Sequence, residues 1–400
     1  MKHALKLAIL IAAITVTAAD AYTLSELEMQ AQSSHPALRA ELQKIQGLQG
    51  KKIQAGLGPN PVFSYTGVEI GNNGAAGFQG GTVSQEIVTA DKLRKDQHVV
   101  DQEILAAQYD YSVARLMVIK EVRQAAYDVM LARRIVDYNE KICDIIRFEL
   151  EKSESLYKSG QITLAEIYQI RLDMKNAELE RQQSTVMYWK AWKKLACSVG
   201  NPGLPADVLE DVLDEPVQEL VWEDVVAKLD NRSPELARAQ TNYLIASAQY
   251  HAEVAKRTPN VTVEAGFQYD CSSRYSTGLV TVSVPFPLRN KNQGAIAQAQ
   301  AQICQAQSES ASAALSLQKR LVDAFISYKT AYEQLEYFKE NIEPDQQKTL
   351  AALQDGNERG EVSIIQLQTF KKSILIQQKN MVQIKAQIKS SEAEIEAFFQ

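Results

Sequence analysis

Groups able to do chemistry are few in this 400-residue chain and poorly grouped for it. The histidines stand at His3, His35, His98 and His251, too scattered to complete a His/Cys/Asp/Glu set with metal-ligand spacing. The cysteines, Cys143, Cys197, Cys271 and Cys304, contain no CxxC pair, and spacing alone does not pair them. Cys143 replaces an apolar position of a helical stripe, so it reads as a small buried residue. Gly71 to Gly81 is rich in glycine but lacks the Lys-Ser/Thr that completes a phosphate loop; it reads as a hairpin turn. Arg289 and Lys291 open a helix as solvated basic residues. No nucleophile stands in a recognisable arrangement with a base. A net charge of -6 and a pI near 5.5 leave no basic footprint for nucleic acid. The expectation is a protein that is no enzyme and holds no cofactor and no metal, and its architecture has to carry the argument.

That architecture is doubled. His35-Pro36-Ala37-Leu38 returns as Ser233-Pro234-Glu235-Leu236, and Pro59-Asn60 returns as Pro259-Asn260. Gly160-Gln161-Ile162-Thr163-Leu164 returns as Gly360-Glu361-Val362-Ser363-Ile364. One structural unit is therefore present twice. The reading divides the chain into a leader at 1–21, a first repeat at 22–200, an inter-repeat linker at 201–220 and a second repeat at 221–400. The leader has Lys2 and Lys6, an uncharged apolar run from Leu7 to Thr17, and Ala19-Asp20-Ala21 as a small-x-small cleavage pattern. It is expected to be a secretory signal cut after Ala21. No other stretch approaches the roughly 20 apolar residues of a membrane-spanning helix.

Each repeat should run helix, helix, β-hairpin, long helical hairpin. Pro36 and Pro234 begin helices, where a missing N–H is tolerated. Gly58-Pro59-Asn60-Pro61 stops the first pair. Strands are expected from Val62 to Ile70, from about Gln79 to Val88, from Val261 to Tyr269, and, after a turn at Asp270 to Thr277, from Val280 to Phe286. Helices of about 60 residues, roughly 90 Å each, should follow from Asp91 to about Tyr157 and from Asn292 to about Asp355, with Pro344 as the break in the second. In the second, Leu321, Phe325, Tyr328, Tyr332, Leu335, Phe338 and Ile342 form a stripe with coiled-coil-like spacing. Its counterpart, 199 residues earlier, is Val122, Ala126, Val129, Arg133, Val136, Asn139 and Cys143. Return helices are expected from about Ile162 to Val199 and Val362 to Phe398, each after a glycine stop.

The strands decide where such a chain sits. About nine residues cross a bilayer when tilted. Backbone groups in lipid must all be paired, so open edges are excluded there. Four strands are too few to close a barrel, so in a membrane several chains would have to share one. Phe63, Tyr65, Val261, Val263, Phe267, Val282 and Val284 would then face lipid. Thr262, Glu264, Gln268, Thr281 and Ser283 would face the lumen. The alternative of another class is a soluble periplasmic coiled-coil scaffold whose four strands pack on helices.

The doubled order, the exported N-terminus, the HPAL/SPEL pair, Pro-Asn before each first strand and Gly-x-[IV]-[ST]-[LI] at each tip resemble the outer-membrane efflux protein family, the TolC-like channels. The segment Ser283-Val284-Pro285-Phe286-Pro287-Leu288-Arg289-Asn290-Lys291-Asn292-Gln293-Gly294-Ala295-Ile296 is similar to the strand-to-helix junction of members serving cobalt–zinc–cadmium efflux. The resemblance implies a mainly α fold with a small β part. Three chains would each give four transmembrane strands to one β-barrel in the outer membrane, and long helical hairpins to an α-barrel in the periplasm. It implies a homotrimer in outer-membrane lipid, a periplasmic adaptor (membrane fusion) protein, and an inner-membrane pump of the resistance-nodulation-division type. Its function would be a passive exit duct, for heavy-metal cations or, alternatively, as a multidrug or type I secretion outlet. Gly160, Gln161, Ile162, Thr163, Leu164, Gly360, Glu361, Val362, Ser363 and Ile364 would form the adaptor-docking mouth. Family members gate with aspartates six and nine residues after the second tip glycine; here those positions are Gln366 and Thr369. The acidic ring is thus absent, leaving Glu166, six residues after Gly160, and the nearby Glu358 and Glu361 as candidate charges at the aperture.

Overall fold

A computed structural model describes residues 21–71, 74, 76–206 and 208–399. The proposed signal at 1–21 lies outside these residues except for Ala21. The elements are α1 (Leu24–Ser34), α2 (Pro36–Ala55), β1 (Val62–Val68), β2 (Phe78–Ile87), α3 (Lys92–Lys158), α4 (Leu164–Ser198), α5 (Trp222–Arg232), α6 (Pro234–Ala255), β3 (Val261–Asp270), β4 (Tyr275–Ser283), α7 (Gln293–Tyr337), a π-helical turn (Phe338–Ile342), α8 (Glu343–Glu358) and α9 (Ile364–Glu396). The protein is mainly α with one small antiparallel sheet. The doubled order read from the sequence is present: two short helices, a hairpin and a long helical hairpin, twice.

The chain forms two compact units, and each draws on both repeats. One comprises Met1–His35, Val118–Glu219 and Ser327–Ala393. Its core holds Trp192, Leu195, Val199, Tyr328 and Ile388, all almost fully buried. Most of the expected inter-repeat linker at 201–220, up to Glu219, belongs to this unit. Leu204, Leu209 and Leu213 are buried. Tyr22 donates its N–H to the Val208 carbonyl at 2.8 Å and accepts from the Glu210 N–H at 3.0 Å. Arg134 on α3 holds Asp211 at 2.5 Å and Asp214 at 2.6 Å, and Lys385 on α9 reaches Asp214 at 2.6 Å. The Arg134 hydrogen bond, reinforced by Lys385, pulls the Asp214 carboxyl down to about 2.

The other unit comprises Pro36–Met117, Leu220–Ile326 and Glu394–Gln400. Its buried helical positions are largely alanine, among them Ala106, Ala107, Ala246, Ala252, Ala255 and Ala299. Larger buried side chains stand beside them at Val100 and Leu116 on α3 and at Leu317, Leu321 and Phe325 on α7. This unit carries the whole sheet.

The stripe positions are buried at Val122, Ala126, Val129, Cys143, Leu321, Phe325, Tyr328 and Leu335, whereas Arg133 is exposed. Asn139 is buried and accepts from Lys379 Nζ at 2.7 Å. All four cysteines are free thiols, and Cys143 lies in a core cluster with Ile142, Ile146, Met174 and Ala177. No helix among the described residues is long and apolar enough to cross a membrane.

Candidate functional site

The sheet has the order β1-β2-β3-β4, every neighbour antiparallel, so β1 and β4 are edge strands among the described residues. Side chains that are directly paired share a face. Tyr65 pairs with Gly81, Gly81 with Phe267, and Phe267 with Gly278. Phe63 pairs with Val83, Val83 with Ala265, and Ala265 with Val280; Val263 pairs with Val282. Period-2 alternation then puts Phe63, Tyr65, Val261, Val263, Phe267 and Val282 on one face. Val83 and Val280 join it, although the sequence reading did not select them. The face is bare: Phe63 is 78% exposed, Phe267 64% and Val280 75%. The opposite face carries Ser64, Thr66, Thr82, Ser84, Thr262, Glu264, Gln268, Thr277, Thr281 and Ser283 by the same pairing, with Val62, Val68 and Leu279 among its apolar members. Gly80 and Gly266 stand on that face where β2 and β3 approach so closely that a Cβ on either would strike neighbouring backbone.

The last strand differs from expectation. It runs Tyr275–Ser283, not Val280 to Phe286. Arg274 takes a left-handed conformation (φ 60°), which closes the β3–β4 turn in a few residues and lets β4 start early. Pro285 and Pro287 cannot donate to a ladder, so the strand stops before them. Val284 therefore lies past the strand end, exposed, and does not belong to the paired face.

The two helical tips are built alike. Gly160 (φ 74°) and Gly360 (φ 75°) adopt the left-handed conformation that glycine alone takes without penalty. The Gln161 N–H returns to the Leu156 carbonyl at 2.9 Å, and the Glu361 N–H to the Gly356 carbonyl at 2.8 Å. Both are the six-to-one bond of a Schellman stop. Gln161, Thr163, Leu164, Glu361 and Ser363 are exposed beyond these stops, and Ile162, Val362 and Ile364 half-buried.

Three aperture candidates are already engaged within the chain. Thr163 caps α4: its Oγ1 accepts from the Glu166 N–H at 3.4 Å, and Glu166 accepts the Thr163 N–H at 2.6 Å. Those bonds, the backbone one first, hold the exposed Glu166 carboxyl below the usual range. Gln366 does the same for α9 with an amide, accepting the Ser363 N–H at 3.3 Å. Thr369 donates to the Ile365 carbonyl at 2.9 Å and lies 3.3 Å from a carboxylate oxygen of Glu149 on α3. Glu149 is 6% exposed. Burial pushes its carboxyl up, against the pull of Lys372 and Thr369. Sequence reasoning missed Glu149; its signal was a carboxylate in the buried spacing Ile142, Ile146, Glu149, Ser153. Glu361 pairs with Arg359 at 3.3 Å. No group of three or more potential metal ligands occurs among the described residues.

Residues 225–398 match the family model described as outer membrane efflux protein. The matched residues lie within the second repeat. No curated protein matches the chain by sequence. Among solved structures, the chain is similar to CusC, described with transmembrane channel formation, at 16% identity and TM-score 0.74, covering 93% of this chain and 90% of that one. It is similar to the outer membrane protein VceC of Vibrio cholerae at 16% identity and TM-score 0.71, covering 93% and 94%. It is also similar to the CmeC outer membrane channel of Campylobacter jejuni at 13% identity and TM-score 0.71, covering 94% and 86%.

Proposed function

We propose that this chain, which carries an outer membrane efflux protein domain in its second repeat, is the outer-membrane exit duct of an efflux apparatus. The observation that carries the reading is the sheet: four strands, two edges unpaired among the described residues, one apolar face with its aromatics exposed and one mostly polar face. In water such a face would drive aggregation. In lipid the face is satisfied, but the edges are not, because no water is there to pair them. Other copies of the chain must supply the missing neighbours, and the polar faces then line a water-filled lumen. Relatives in fold described as outer membrane channels support a shared barrel, for which we take three copies. The soluble-scaffold reading leaves the apolar face without a cover.

The duct itself is passive. An inner-membrane pump of the resistance-nodulation-division type drives transport and a periplasmic adaptor joins it to the mouth. The mouth is formed by Gly160–Leu164 and Gly360–Ile364, with Glu166, Gln366 and Thr369 set behind it. A metal-cation outlet and a multidrug or secretion outlet share this geometry. The cargo is read by deleting the gene and comparing sensitivity to zinc, cobalt and drugs.

The decisive test is fractionation. The chain should be found in the outer membrane as an SDS-resistant, heat-modifiable oligomer that conducts ions in planar bilayers. A monomer confined to the soluble periplasm sinks the reading. Within it, Ile162→Asp and Gly360→Asp should abolish export while oligomers persist; unchanged export would remove the tips from docking.

A further inference from the structure

The polar residues between β4 and α7 divide into two sets. The first builds the turn. Asn290 Oδ1 accepts the Asn292 N–H at 3.0 Å, Gln293 Oε1 accepts the Lys291 N–H at 2.8 Å, and Gln293 Nε2 donates to the Arg289 carbonyl at 3.2 Å. Asn292, in the left-handed region at φ 59°, donates Nδ2 to the Glu253 carbonyl at 2.9 Å and to its carboxylate at 2.7 Å. These side chains are committed to local structure and say nothing about cargo.

The second set is unengaged. Arg289 and Lys291 are exposed and make no ion pair among the described residues. Arg257, just past the end of α6, is in the same position. Arg257 and Arg289 line a cleft of about 820 Å³ together with Asn260, Phe286 and Leu288. The other charges on this cleft are satisfied internally. Lys256 pairs with Glu253 at 2.6 Å, Glu86 accepts from Asn260 Nδ2 at 2.6 Å, and Lys92 bonds Asn260 Oδ1. The cleft is left with an excess of positive charge. Beside it stand Val284 at 53%, Phe286 at 83% and Leu288 at 75% exposure. In sequence they continue the every-second-residue apolar series of Val280 and Val282.

We propose that this rim is a binding site for the phosphodiester headgroup of an anionic phospholipid. Phe286 and Leu288 enter the acyl boundary, and Arg257, Arg289 and Lys291 face the phosphate. The inference rests on the outer-membrane reading, which brings the ends of the strands to the headgroup level. Two chemistries side by side select the occupant. A free phosphate has no use for two bare apolar side chains, and a neutral lipid none for three unpaired cations. Long basic side chains beside an apolar surface reach headgroups in this manner, and each contributes about fivefold to anionic-lipid affinity near a membrane surface.

The test uses the purified oligomer in detergent, offered phosphatidylglycerol or phosphatidylcholine, with retained lipid counted by native mass spectrometry. Wild type should retain phosphatidylglycerol in preference. Arg257→Gln, Arg289→Gln and Lys291→Gln should each reduce that retention about fivefold, and the triple variant should hold both lipids equally. Phe286→Ser should weaken both lipids alike. An unchanged preference in the triple variant overturns the proposal. So does displacement of phosphatidylglycerol by excess inorganic phosphate, which would make the site a plain anion pocket. A conducting, membrane-inserted oligomer without headgroup preference sinks this inference alone, whereas a soluble, lipid-free chain sinks the channel reading beneath it.

Discussion

The first repeat reaches its tip along one helix, Lys92–Lys158, whereas the second needs three pieces: α7, a π-helical turn and α8. One residue accounts for the difference. Cys143 corresponds to Ile342, 199 positions on, but Gly160 corresponds to Gly360, 200 positions on. The second copy is thus one residue longer between its stripe and its tip. The turn at Phe338–Ile342, where the Glu343 N–H bonds back to the Phe338 carbonyl, is where a helix takes up such an excess while keeping its packed face in register. Pro344 follows in the first turn of α8. Both tips keep the same left-handed glycine and the same Schellman bonds. The duplication has therefore preserved tip geometry and let the helix behind it absorb the change.

The largest expected effect comes from exchanging the proline between repeats. Asp144 stands 200 positions before Pro344, on the exposed side of unbroken α3. Asp144→Pro should cost about 3 kcal/mol or more, because the ring meets an intact helical ladder. Pro344→Ala should change stability by less than about 1 kcal/mol. Thermal melts followed by helical circular dichroism decide it; equal losses would mean that the widened turn does not accommodate Pro344. Next in size is Gly356, buried one turn before the second tip, where a Cβ would lie 2.6 Å from Val362 Cγ2. Gly356→Ala should cost on the order of 1–2 kcal/mol through overpacking. The first repeat has Leu156 at the matched place, so its tip is closed by a different packing, and a silent Gly356→Ala would erase that distinction. Smaller again are the caps. Thr163→Ala should cost about 1 kcal/mol, as a lost N-cap does. Ser363→Ala should cost less, since the return bond of its cap goes from the Ser363 N–H to a neutral amide, Gln366, at 3.3 Å, where the Thr163 N–H meets the Glu166 carboxylate at 2.6 Å.

Much of this layout was legible because glycine and proline punctuate it. Gly160, Gly360, Pro36 and Pro234 marked ends that the structure places within a residue or two. The strict alternation of Val261 to Tyr269 located β3 and its faces. Tyr275–Leu279 was illegible as strand because Gly278 and three small polar or aromatic neighbours blur the period, while Val284 and Phe286 extend it falsely into a proline-broken segment. The π-helical turn left only a slip of one in the repeat offset. Six-residue spacing from a glycine is also the spacing of a cap: glycine stop, short turn, Thr or Ser, then the third helical residue, so Glu166 and Gln366 each serve as the capping partner of Thr163 and Ser363. Glu149 stayed hidden because a carboxylate reads as surface unless its heptad neighbours are traced.

Glu149 offers the finest probe of the comparison. It belongs to the first repeat, but the hydroxyl beside it, Thr369, comes from the second. The matched position in the second repeat is Thr349, exposed and bonded to its own helix at the Asp345 carbonyl. Burial holds the Glu149 proton more tightly in the folded chain than in the unfolded one. Its contribution is thus fully present below the ordinary glutamate value of 4.5 and is lost as pH rises through the raised one. Asp214 runs the other way: its contribution is present above the ordinary 3.8 and is lost as pH falls toward 2. Glu149→Gln keeps a group able to meet the Thr369 hydroxyl but removes the buried charge. Its melting temperature should exceed that of wild type at neutral pH, and the two should converge below about pH 4.5. Thr349→Glu, placed on the exposed face of α8, should leave the pH profile of wild type unaltered. Parallel profiles for wild type and Glu149→Gln would mean that water reaches this carboxylate in the assembled protein, and the two repeats would then be alike at this position.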